Sequence, residues 1–206
     1  MNFLQFKDRF SQFDVLSIKE IERVMPGFNK MNLVNWQKKN YIIKIRNGYY
    51  KFSGKPETEK ELFIVANKIY QPSYISLETA LAYHNLIPEG VFMVQSITTL
   101  KTQTFMNTLS AFHYHNIKKS AFTGYDFELL SNKIFRIASP EKALLDLFYL
   151  KGMGDKLEEI DSLRLNVFTL KEIISLDKMQ TLAELFESVK LMKSVSLLKK
   201  YCNDFD

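Results

Sequence analysis

Apolar residues recur at three- and four-residue steps from the first turn of the chain. Phe3, Leu4, Phe6, Phe10 and Phe13 would lie on one face and predict a helix from about residue 2 to 12. Ser17 and Glu20 stand at capping-box spacing, the serine oxygen taking an orphan N–H while the glutamate reaches back. A second short helix is therefore expected over about 18–25, stopped by Pro26-Gly27. A third is expected over about 30–39, with Asn29 as its N-cap and Asn40 as the left-handed residue that closes it. The period then drops to two. Residues 41–46 and 49–52 are β-branched and aromatic runs flanking Asn47-Gly48, both of which accept positive φ, the strongest short-range signal for a hairpin.

Helix, helix, turn, helix and hairpin within 55 residues is the order of a winged helix-turn-helix, with the hairpin as its wing. A polar joint, Ser53-Gly-Lys-Pro56 and then Glu57-Thr-Glu-Lys-Glu61, separates it from the rest. Helices are expected over 62–70 and, capped by Ser76, over 77–85, before Pro88-Glu89-Gly90 breaks the pattern. Runs at 91–98, 111–117, 122–130 and 133–137 alternate and predict one mainly antiparallel sheet. Ser139-Pro140-Glu141 is a strong helix start: a cap, a proline at the first helical position and an acid near the positive end of the dipole. Beyond Gly152 and Gly154 the pattern is helical, with starts at Asp155, Thr169 and Asp177. The expected fold class is α+β: a winged helix-turn-helix over 1–55, then a mixed domain over 56–206 with a helical tail from about 153.

An apolar fraction of 46% and an aromatic fraction of 14% exclude a disordered chain. One cysteine, Cys202, excludes a disulfide within the chain and a cysteine-built zinc site. Lys7, Asp8 and Arg9 interrupt the first apolar stretch, so no signal peptide is expected. No run approaches the roughly 18 apolar residues of a membrane span. A cytoplasmic protein without a membrane partner is the expectation.

Charge sharpens the picture because it is uneven. Residues 1–56 hold eleven Lys and Arg against four Asp and Glu, while the remaining 150 hold 17 against 19. From Phe28 to Lys55 there are seven basic residues and no acid, which points to a polyanion, with duplex DNA as the commonest candidate. On the third helix, Leu33, Trp36, Gln37 and Asn40 fall on one side, and Met31, Asn32, Asn35, Lys38 and Lys39 on the other. Trp36 is expected in the core. Asn32 and Asn35 are the candidate base-reading residues, since an amide pairs bidentately with adenine in the major groove. Lys30, Lys38 and Lys39, with Lys44, Arg46 and Lys51 on the hairpin, are the candidate backbone contacts, and Asn47 and Gly48 form the wing turn.

Chemistry elsewhere is thin. His113 and His115 share a strand face without a third metal ligand at a recognisable spacing, and read as surface histidines. No phosphate-cradling, dinucleotide, zincin or nucleophile-elbow motif occurs. No enzymatic activity, metal or cofactor is expected. The competing expectations are a metal-dependent nuclease delivered to DNA, with Asp126, Glu128, Glu141 and Lys142 as its cluster, and a scaffold whose winged domain binds protein.

Three stretches carry a family resemblance: Ile45-Arg-Asn-Gly-Tyr-Tyr-Lys-Phe52, Pro72-Ser-Tyr-Ile-Ser-Leu-Glu-Thr-Ala-Leu-Ala-Tyr-His-Asn-Leu86 and Ile137-Ala-Ser-Pro-Glu-Lys-Ala-Leu-Leu-Asp-Leu-Phe148. Over about residues 1–150 the chain resembles the AbiEi-type antitoxins of bacterial type IV toxin–antitoxin (abortive infection) systems, which are also known as predicted transcriptional regulators. The resemblance implies a winged domain that represses its own promoter. It also implies a C-terminal domain that counteracts a nucleotidyltransferase-like toxin without a stable complex. The tail beyond 150 is outside it.

Overall fold

The computed structural model describes residues 1–54, 57–88, 90 and 93–203. The first unit opens with α1 (Phe3–Phe10), capped by reciprocal hydrogen bonds between Asn2 and Gln5. A two-residue strand β1 (Leu16–Ser17) leads into α2 (Ile18–Val24), whose start is the Ser17–Glu20 capping box. The helix α3 (Met31–Lys38) follows the turn at Gly27, with Asn29 Oδ1 accepting from Met31 N at 2.9 Å. Asn40 closes α3 at φ 54°. Asn40 N donates to Gln37 O, and Tyr41 N to Trp36 O, the paired bonds of a Schellman ending.

Strands β2 (Ile42–Arg46) and β3 (Tyr49–Phe52) form the expected hairpin, but only Gly48 uses positive φ, at 81°. A register shift between Lys44 and Arg46 absorbs the difference. β1 adds to the far side of β3, giving a three-stranded sheet in the order β1-β3-β2. Phe6, Phe10, Leu16, Ile21, Leu33, Trp36, Ile42 and Tyr50 fill the core beneath it. Trp36 lies there as its helical spacing predicts, its ring 4.6 Å from that of Phe6.

The second unit begins with α4 (Glu59–Ile69), three residues earlier than the apolar pattern indicates. The charged run contains a Thr58–Glu61 capping box that starts the helix. There follow β4 (Ser73–Ile75), α5 (Leu77–Tyr83), β5 (Met93–Thr98), β6 (Gln103–Met106), β7 (Ala111–Asn116), β8 (Tyr125–Leu130) and β9 (Lys133–Ala138). The expected sheet start at Val91 and Phe92, the break at Glu89 and the joint at Lys55-Pro56 fall outside the described residues.

The strand order is β6-β7-β5-β4-β9-β8. Three of its five pairings are antiparallel, the expected majority, while β4 with β9 and β5 with β7 run parallel, so the sheet is mixed. The cause is two strands without an alternating signature. β4 is buried on both faces, and β6 is an exposed edge that turns the chain back so that β7 runs alongside β5.

Helix α6 (Pro140–Lys151) starts at Ser139, whose hydroxyl accepts from Lys142 N, and ends at Gly152 in the left-handed region. The tail forms α7 (Leu157–Asp161), α8 (Val167–Ile173), α9 (Leu176–Glu184) and α10 (Val189–Asn203). It is no appendage: Leu170, Met179, Phe186, Leu191 and Leu198 are buried in the same core as the sheet. That core also takes in Val15 and Ile45 from the first unit, so the two units pack on one another. None of the helices among the described residues is long and apolar enough to cross a membrane.

Candidate nucleic-acid interface

Leu33 and Trp36 anchor α3 inward, which turns Met31, Val34, Asn35, Lys38 and Lys39 toward solvent. At about 100° per residue, Asn32 falls on the shoulder between this outer stripe and the buried face. It is accordingly half-buried, whereas Asn35 is exposed. The two candidate base-reading amides are therefore unequal. Asn35 faces outward, and Asn32 reaches only what approaches from one side. Val34, which the polarity of the helix gave no reason to single out, shares the outer stripe and is 42% exposed.

The six candidate cations divide into two groups. Lys38, Lys39 and Lys44 are exposed and have no carboxylate partner among the described residues. Lys30 is exposed but pairs with Glu22 at 2.7 Å. Lys51 pairs with Glu57 at 3.4 Å with both side chains largely covered, at 15% and 11% exposure, so its charge is spent within the protein.

Arg46 points away from the outer surface of the hairpin. Its guanidinium donates to Ile69 O at 2.7 Å and sits over the rings of Phe105, Tyr49 and Tyr70 at 4.7, 5.0 and 5.6 Å. Together with Asn107 Nδ2 donating to Ile45 O at 3.1 Å it fixes the hairpin against the second unit, and Lys68 donating to Glu20 at 2.5 Å ties α2 to it as well. Arg46 and Lys51 thus make contacts within the protein, unlike Lys38, Lys39 and Lys44. Tertiary partners that spacing cannot reveal have claimed them. Asn47 stays exposed at the hairpin tip. Beside it, Lys44, Arg46, Asn47, Gln103 and Thr104 line an open groove of about 580 Å³ between the hairpin and edge strand β6.

The second unit holds a different kind of polar cluster. Lys142 and Asp146, one turn apart on α6 and both fully buried, form an ion pair. The other carboxylate oxygen of Asp146 accepts from Ser76 Oγ at 2.7 Å and Tyr74 Oη at 3.0 Å. The Lys142 ammonium also lies 4.5 Å from the Phe186 ring centre. Burial pulls the Lys142 ammonium below the ordinary lysine range, and burial pushes Asp146 up, each opposed by its partner's charge. Ser76 therefore does not cap α5 as its position predicts, because its hydroxyl is turned to Asp146.

This commitment also disperses the conceivable nuclease cluster. Lys142 is inaccessible. Glu141 accepts from Ser139 Oγ at 2.7 Å and Ser175 N at 3.1 Å and pairs with Lys178 at 3.0 Å, leaving Asp126 and Glu128 alone on edge strand β8. Among the described residues no group of three or more His, Cys, Asp and Glu side chains could hold a metal ion. His113 and His115 stack at 4.1 Å between ring centres, and both are half-buried rather than on the open surface.

No family model and no curated protein matches this chain.

Proposed function

We propose that the protein is a DNA-binding transcriptional regulator of the cytoplasm, the autorepressing antitoxin of a type IV toxin–antitoxin system. Its first unit would act as a winged helix-turn-helix. The succession α1-β1-α2-α3-β2-β3, with β1 closing a three-stranded sheet against the hairpin, is the arrangement in which α3 would enter the major groove and the hairpin would flank it. One observation carries the proposal: the outer stripe of α3 is solvent-exposed, and Lys38, Lys39 and Lys44 beside it have no carboxylate partner among the described residues. A basic surface left open at the cost of self-repulsion is what a polyanion requires.

The antitoxin role rests on the resemblance of the second unit. The two stretches that carry it, around Tyr74-Ile-Ser76 and Lys142–Asp146, meet in a single buried network. In this chain the two stretches thereby form a device that ties β4 to α6. Such a device supports a common fold more directly than a common activity.

The proposal is tested with the full chain and the duplex upstream of its own gene. Binding should weaken steeply with salt, by about 0.9 in log–log slope for each phosphate neutralised. Affinity indifferent to salt would point instead to a protein partner. For the antitoxin role, co-expression with a nucleotidyltransferase-like neighbour should restore growth without the two proteins co-purifying.

A further inference from the structure

The outer stripe of α3 contains two side chains that phosphate binding does not explain. Met31 is 59% exposed and Val34 42%, one turn apart, on a helix whose remaining outward residues are Asn35, Lys38 and Lys39. Neither packs into the eight-residue core of its unit. Their surroundings argue against an apolar protein partner. Lys38 and Lys39 are on the same helix, Lys44 is on the adjoining hairpin, and the stretch from Phe28 to Lys55 contains no acidic residue. An apolar pair set among cations that have no carboxylate partner among the described residues fits a polyanion that also displays methyl groups.

Duplex DNA is such a polyanion. In the major groove thymine alone among the four bases presents a methyl group, and short apolar side chains read it by contact. Val34 is suited to this because its β-branched side chain holds one rotamer in a helix, so its methyl groups are fixed before the duplex arrives. Asn35, the next residue, presents the amide that pairs with adenine. We infer that Val34, seconded by Met31, reads the 5-methyl groups of thymine beside the base that Asn35 engages, so that the target of α3 is built on A·T pairs. The inference rests on the proposal that α3 enters duplex DNA.

The test selects duplexes from a randomised pool with the full-length protein, then replaces each thymine of the winning duplex by deoxyuridine, which removes the methyl group and nothing else. The wild-type protein is expected to lose affinity about fourfold at one or two positions, the equilibrium equivalent of one buried methyl group. At those positions Val34→Ala should bind the thymine and deoxyuridine duplexes alike, and Met31→Ala should show a smaller loss of discrimination. Both side chains lie outside the core, so unchanged thermal melts verify folding.

A selected duplex that tolerates every deoxyuridine would overturn the inference while leaving DNA binding intact. So would methyl sensitivity that persists undiminished in both variants. If no duplex is enriched, DNA binding itself fails and the inference fails with it.

Discussion

The Arg46 guanidinium donates to the carbonyl of Ile69 at 2.7 Å, joining the end of the β2 strand to the end of α4. Three aromatic rings surround the same group. A cation on the hairpin thus pins the hairpin to the second unit.

Replacing Arg46 with alanine should therefore act on stability more than on charge. Losing a charge-assisted hydrogen bond and its ring contacts should cost about 2–4 kcal/mol in urea unfolding. The salt slope of DNA binding should match the wild type. A slope shallower by about 0.9 would mean that Arg46 reaches a phosphate.

The buried network around Asp146 makes a different demand. Lys142→Met leaves the buried carboxylate without its counter-ion, held only by the Tyr74 and Ser76 hydroxyls, and Asp146→Leu strands the ammonium. Either change should lower stability by about 3–5 kcal/mol. The double variant should be less costly than the sum, because no unpaired charge remains, though Tyr74 and Ser76 lose their acceptor. Additive losses in urea titrations would show that the two groups are not coupled.

Acid should weaken the fold through the histidine pair. Burial, and then the stacked His113, pull His115 from 6.5 down to about 4, and its Nε2 is buried without a hydrogen-bond partner among the described residues. The folded state thus binds fewer protons than the unfolded chain between these two values. Stability is held above about pH 6.5, falls as pH drops toward about 4, and levels off below. His115→Gln should flatten that limb. Part of the slope should remain, because burial lowers His84 as well, whose Nε2 lies 2.8 Å from Ala138 O. An unaltered acid limb in the variant would assign the effect to other groups.

What the sequence disclosed was local. The Ser17–Glu20 box, the Asn40 ending of α3 and the Ser139-Pro140 start of α6 are each written within a few residues, and each was visible before the fold. Elements without a periodic signature stayed hidden. β1 spans two residues, β4 is buried on both faces, and β6 is mostly exposed, so none alternates. The same divide runs through the candidate interface. The count of cations in residues 28–55 could be read directly, but which of them remain free depends on Ile69, Glu57 and Glu22, partners brought close only by folding. Glu141, Lys142 and Asp146 look like the solvated side of an amphipathic helix and are instead its buried face.

The central claim is that the open basic edge of α3 meets duplex DNA, and the charges there can be inverted without touching the core. Lys38→Glu with Lys39→Glu alters two exposed side chains. Circular dichroism should be unchanged while binding to the duplex upstream of the gene, followed by fluorescence anisotropy at low salt, is lost. Wild-type affinity in this variant would contradict the account, because α3 would then lie outside the interface.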